Sequence, residues 1–214
     1  MFVLRLLVIA LLVGPSMAAA QITGCWYLGE YSTVTMSYTG GESMTLLVLP
    51  DGSGDPFSMA RLPGGTVADA TLTLTLHDCF DVPIAGVPSE DLWLTTVDGG
   101  LANCATYTAT IADNNTDADG VTTWSVPPHA GGHSEAGIVF MVSGSDLFYS
   151  QTPMNLNFVS PDLNGDLMVN LSDIVAFVSD LEAGAASRSD FNHDGAVNLS
   201  DVIIMVGGLG ADCP

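Results

Sequence analysis

Near the C-terminus, oxygen-bearing side chains recur at alternate positions in two stretches of equal length. The first runs Asp162, Asn164, Asp166, Asn170 and Asp173; the second, 28 residues on, runs Asp190, Asn192, Asp194, Asn198 and Asp201. Carboxylate and amide oxygens are hard donors. A twelve-residue loop that offers them at positions 1, 3, 5, 9 and 12, with a backbone carbonyl at position 7, is the pattern that wraps a calcium ion. Position 7 is Met168 in the first loop and Ala196 in the second, and the ninth residue, Asn170 or Asn198, is expected to reach the metal through a water. Each loop gathers three carboxylates that repel one another in the absence of a cation. Two calcium ions are therefore the expected cofactors, and their removal is expected to melt the tail.

The elements that must hold these loops follow from the residues beside them. Each loop runs into an apolar pattern with the spacing of one helix face: Ile174, Val175, Val178 and Leu181 after the first, Val202, Ile203, Val206 and Leu209 after the second. Each unit thus reads as a loop followed by an amphipathic helix, and the two helices are expected to bury these faces against each other. Val169 and Val197, at position 8, are expected to pair across the loops. The sixth position calls for a left-handed turn suited to glycine. It is Gly195 in the second loop but Leu167 in the first. A left-handed non-glycine residue costs about 1–2 kcal/mol, so the first site is expected to bind calcium more weakly.

The paired loop-helix units, with Asp at position 12 and Val-Asn at positions 8 and 9, resemble a dockerin domain spanning 161–214. That resemblance implies a cohesin-like partner or cell-surface scaffold, contacted by the residues just before the closing Asp. These are Leu171 and Ser172 in one copy and Leu199 and Ser200 in the other. The two serines read equally well as helix N-caps. The duplication implies two docking orientations related by a pseudo-twofold axis.

Upstream, from 21 to 160, the pattern is one of strands and turns. Thr71-Leu72-Thr73-Leu74-Thr75-Leu76 alternates without fault, the mark of a half-buried strand. Shorter runs at 44–49, 92–96, 106–111, 121–126, 138–142 and 154–158 are separated by turn signals such as Pro50-Asp51-Gly52 and Asp98-Gly99-Gly100. The spacing predicts an antiparallel sandwich of about seven strands. The run from Asp78 through Val82-Pro83 to Val87-Pro88, the segment from Thr116 to Val121 and the Ala130-Gly131 turn resemble an invasin-type bacterial immunoglobulin-like domain over 70–142. The expected fold class is therefore mainly β: an antiparallel immunoglobulin-like β-sandwich at 21–160, followed by a small all-α calcium-binding dockerin-like module at 161–214.

Charge narrows the function classes. Three arginines, Arg5, Arg61 and Arg188, and no lysine stand against 24 acids. Such a chain offers no positive surface for nucleic acid or for anionic lipid. At the N-terminus, Arg5 precedes the apolar run 6–13 and the small residues Ala18-Ala19-Ala20, which reads as a secretory signal at 1–20 and places the mature chain outside the cell. A competing reading is a lipobox at Ile22-Thr23-Gly24-Cys25, with Cys25 lipidated. Neither the apolar run nor any later stretch is long enough for a spanning helix in the mature chain. Export permits disulfides, and four cysteines allow three pairings; the expected one joins Cys79 to Cys104, with Cys25 and Cys213 open.

Other constellations are weaker. His129, His133 and Glu135 could hold zinc, but they sit in a glycine- and proline-rich turn, and an exposed loop is the preferred reading. Asp113, Asn115, Asp117 and Asp119 have calcium-loop spacing, but the twelfth residue from Asp113 is Trp124, so a plain turn is preferred. Trp26, Trp93 and Trp124 could stack on sugars, although aromatics in a sandwich are more often core. Glu90, Asp91 and Glu135 are the only candidates for a glycosidase pair, and no Gly-x-Ser-x-Gly motif is present. The expected function is a secreted, calcium-dependent docking protein with a non-catalytic β part. The alternative is an accessory carbohydrate-binding or glycoside-hydrolase component of a polysaccharide-degrading complex.

Overall fold

The computed structural model describes residues 30–105, 110–147, 153–184 and 187–214. The secretory signal expected at 1–20, Cys25 with its 22–25 motif, Trp26 and residues 106–109 of the strand expected at 106–111 lie outside them. Among the described residues twelve strands precede two helices: β1 (Thr33–Met36), β2 (Met44–Leu47), β3 (Ala60–Arg61), β4 (Val67–Ala68), β5 (Leu72–Thr75), β6 (Leu92–Thr96), β7 (Leu101–Asn103), β8 (Val121–Trp124), β9 (Ala130–Gly132), β10 (Ile138–Val142), β11 (Ser145–Asp146), β12 (Leu156–Val159), α1 (Leu171–Ala183) and α2 (Leu199–Gly207). The strands form four small sheets, ordered β1-β5-β8, β11-β10-β6, β12-β2-β3-β4 and β7-β9.

The mainly β expectation stands. An antiparallel immunoglobulin-like sandwich followed by a small all-α module does not. The third sheet is mixed, with β12 parallel to β2 in the register Leu156↔Met44 to Val159↔Leu47, and the C-terminal part contributes two short helices laid against that sheet. The reason is legible in β2 and the residues after it. Their near-continuous apolar run suits a central strand covered on both faces. Met44, Leu46 and Val48 belong to the core of the β part, together with Leu72, Leu74, Leu94, Trp124 and Phe158. Leu47 and Leu49, pointing the other way, belong to a second core with Val159, Leu163, Val169, Phe177, Phe191, Val197 and Met205. One strand therefore serves two cores, and the loops and helices form a layer over the second face of the sheet.

Within that layer the expected helix faces are met only in part, by Ile174, Leu181 and Val202. Val175, Val178, Ile203, Val206 and Leu209 are exposed. Phe177 and Met205 are buried instead, with Ile174, Leu181, Val202 and Ile204 packed beside them. Each helix carries two apolar stripes of helical spacing, and the stripe holding the largest side chain meets the sheet. Phe177 stacks on Phe191 at 5.6 Å between ring centroids. At position 8, Val169 and Val197 are both buried in the second core, but the backbone partner of Val169 is the tail. The Val169 N–H donates to the Ala211 carbonyl at 2.8 Å, and the Gly210 N–H to the Val169 carbonyl at 2.9 Å. Before the second loop, Arg188 clamps the Asp180 carboxylate at the end of α1 through two hydrogen bonds of 2.7 and 2.9 Å. This holds the Asp180 carboxyl below the usual carboxylate range.

The expected Cys79–Cys104 bridge is not formed. Cys104 pairs with Cys213, with 5.7 Å between Cα atoms and 109 residues between them in sequence, and Cys79 is disulfide-bonded elsewhere. Sequence could not show this, because the pairing depends on the tail folding back over the sheet.

Candidate metal centre

In the first loop the carboxylates of Asp162, Asp166 and Asp173 come together, with one oxygen of each within 4.8 Å of the others. Asp162 and Asp173 are fully buried, while Asp166 faces solvent. The loop is shaped by its own acids. Asp162 Oδ1 accepts from the Gly165 and Asp166 N–H groups, and its Oδ2 accepts from the Leu167 N–H at 2.8 Å. Asp173 closes the ring, taking the Asn164 and Asn170 N–H groups on its two oxygens. It also forms a capping box with Asn170, whose side chain accepts from the Ser172 N–H, so loop closure and helix initiation are one event.

The second loop repeats this bonding. Asp190 accepts from the Asp194 and Gly195 N–H groups, Asp201 from Phe191, Asn192 and Asn198, and Asn198 caps α2 through the Ser200 N–H. Among the described residues, however, only the first loop gathers three carboxylates so closely. In both copies the N-cap is the asparagine at position 9. Ser172 and Ser200 are therefore not caps; they sit two residues after the cap, exposed beside Leu171 and Leu199. Met168 and Ala196, at position 7, each receive their asparagine's amide on the backbone carbonyl, at 3.3 and 3.0 Å.

Leu167 does adopt the left-handed conformation, at φ 69°. Yet the fourth position is left-handed too, and there the first loop has Gly165 (φ 71°) and the second has His193 (φ 57°). Each loop thus places one glycine and one ordinary residue at its two left-handed sites. The backbone cost is therefore shared between the loops, and only the difference between leucine and the more tolerant histidine still favours weaker binding at the first site.

The electrostatics suit a divalent cation. No ion pair of the described residues reaches Asp162, Asp166 or Asp173. Burial, with the negative charges of Asp173 and Asp166 adding to it, pushes the Asp162 carboxyl up to about 6, against hydrogen bonds from the backbone that favour its ionised form. Burial likewise raises Asp201, whereas the Asn192 and Asn198 amides lower the exposed Asp194. Because the folded value of Asp162 lies above its ordinary one, its protonated form favours folding of the metal-free chain below the ordinary value, and that contribution disappears as pH rises through about 6. Calcium requires the ionised form. Affinity at the first loop is therefore expected to be level above pH 6 and to fall by up to about tenfold per pH unit below it. Calcium titrations at several pH values around 6 measure this, and a flat profile would contradict it.

The remaining candidates resolve into local structure. The ring of His129 lies over Gly52 with Nδ1 at 3.3 Å from the Pro50 carbonyl, while His133 faces Glu135 at 3.6 Å. Asp113 binds Thr123 and Ser125, Asn115 accepts from the Ser89 N–H, and Asp117 accepts from the Asp119 and Val121 N–H groups, which makes this stretch a set of turn supports. Trp124 is a core residue that donates to the Thr110 carbonyl and meets Phe140 edge-on; Trp93 is half-buried. A cleft of about 350 Å³ lies beside Phe57, Trp124, Pro127, Pro128 and His129. Asp113 is its one acid and is already hydrogen-bonded, so the cleft holds no carboxylate pair of the kind glycoside hydrolysis needs. Glu90 and Glu135 are exposed on separate loops, with Asp91 half-buried beside Glu90.

Sequence reading named Leu171 and Leu199 as contact positions but missed that the outward stripe extends to Val175, Val178, Ile203 and Val206, which it had placed on the buried face. Leu171, Val175 and Val178 on α1, and Leu199, Ile203 and Val206 on α2, are all exposed, from 45% for Val178 to 73% for Leu199. The signal was present as a second i, i+4, i+7 pattern that begins at the residue just before Ser172 or Ser200. No protein-family model, curated protein or solved structure matches the chain.

Proposed function

We propose that this is an exported calcium-binding protein that docks onto a cohesin-like partner or surface scaffold through the outward faces of α1 and α2, with the β part as a non-catalytic cargo. One observation carries the reading. Six aliphatic side chains stand exposed at matching positions of two helices, and the same loops that would hold calcium build and cap the N-termini of those helices. An exposed aliphatic surface of this kind marks an interaction site. Its duplication fits the dockerin-like sequence of the loops without requiring a detached all-α module. The Cys104–Cys213 bridge supports export, since such bonds persist in oxidising compartments. Among the described residues no helix is long and apolar enough to cross a membrane.

The test uses the full chain, because loops and sheet share a core. Calorimetric titration with a cohesin domain, in calcium and in chelator, is expected to show binding only in calcium. Replacing Leu171→Asp and Leu199→Asp together is expected to weaken docking at least about tenfold while calcium uptake stays unchanged. Docking that survives both substitutions, or a chain that takes up no calcium, would overturn the reading.

A further inference from the structure

We propose that Gly131, in β9 of the β part, is a positioning residue for the first loop: its missing side chain is the space in which the Asp162 carboxylate is seated. The inference rests on the calcium reading of the loops and adds to it a residue outside them. β9 is buried throughout. The Gly132 N–H donates to the Asp162 backbone carbonyl at 2.8 Å, which fixes the first residue of the loop against the strand. A methyl on Gly131 would overlap Asp162 Oδ2 and lie 2.7 Å from its Cγ and 3.1 Å from its Cβ.

Gly131 does not adopt a left-handed conformation, unlike Gly132 at φ 84°. Its backbone would accept alanine, so the close approach of the carboxylate is the reason for glycine here. On its other side Asp162 is held by the Leu167 N–H on Oδ2, and its own N–H donates to Ser160 Oγ at 3.1 Å. The carboxylate is therefore clamped between strand and loop. Among the described residues the second loop has no equivalent. Gly65 of the β part meets the Asn192 carbonyl and the Asp194 stem at 3.3 Å and beyond, and a Cβ on Gly64, whose N–H donates to the His193 carbonyl, would meet nothing within 4 Å. A side chain at position 131 would push Asp162 away from Asp166 and Asp173, and the first loop alone would lose its geometry.

Calcium titration of the full-length Gly131→Ala chain tests this, with Gly41→Ala as control because a Cβ there meets nothing within 4 Å. The expected result is one site weakened about tenfold or more, as for other outer supports of metal ligands, with the second site and the control unchanged. The retained second site reports that the fold is intact. Two sites of wild-type affinity, or equal weakening of both, would overturn the proposal while leaving the calcium reading in place. A wild-type chain that binds no calcium removes both. Should Gly131→Ala unfold the chain, adding Asp162→Ala removes the overlap and is expected to restore folding; no rescue would overturn the proposal.

Discussion

Chelating calcium from the full chain is expected to lower the thermal midpoint of the helices and of the β core together. With two sites held at about 100-fold over Kd, binding contributes roughly 5 kcal/mol, or about 10–20 °C in Tm for a chain of this size. The shared response follows from packing. Val48 and Leu49 are neighbours in sequence, but one lies in the core of Trp124 and the other in the core of Phe177. The Asp162 and His193 carbonyls accept from Gly132 and Gly64 of the β part, so each loop is tied to the sheet layer by backbone. Helical circular dichroism and tryptophan fluorescence, with Trp124 only 2% exposed, are the two probes. Coincident transitions that shift equally on chelation fit one cooperative unit. A helix signal lost in chelator beside an unmoved fluorescence transition would show that the tail melts alone.

The loops were legible in sequence because their chemistry is local. The hydrogen bonds that the Asp162 and Asp173 carboxylates accept, which shape the first loop and its cap, all join residues between Asp162 and Asp173. β5 was legible because strict Leu–Thr alternation records a half-buried strand, and β6 and β10 because short apolar and β-branched runs between turn signals record strands. What sequence did not reveal was where each local element goes. β3, β4, β9 and β11 are two or three residues long and carry no period. The parallel pairing of β2 with β12 is a long-range choice that alternation cannot encode. The helices illustrate the limit most clearly. α1 offers two apolar stripes, both with correct spacing, and only the position of the sheet decides that Phe177 turns inward and Val175 outward. The same limit hid Gly131, whose role depends on a carboxylate that reaches it across the fold.

Replacing Cys104 and Cys213 together with serine is expected to cost about 2–5 kcal/mol, because the bond closes a loop of 109 residues and removes much of the freedom of the unfolded chain. The native side of the balance points the same way. Cys104 is buried at 2% exposure, and its N–H donates to the His129 carbonyl at the start of β9. Cys213 follows the tail residues that pair with the first loop, where Gly210 and Ala211 bond Val169, and Met168 bridges Asp212. The bond thus holds the last turn of the chain over position 8 of the first loop. Its loss is expected to loosen that turn and to weaken calcium at the first loop more than at the second, whose flanking contacts run to Gly64 and Thr45. Denaturant unfolding in saturating calcium measures the first effect and a two-site calcium titration the second. A stability change below about 1 kcal/mol would show that the tail is held by its hydrogen bonds and by Ala211 in the core without the bridge. Equal weakening of both sites would mean that the bridge supports the whole layer, not the first loop in particular.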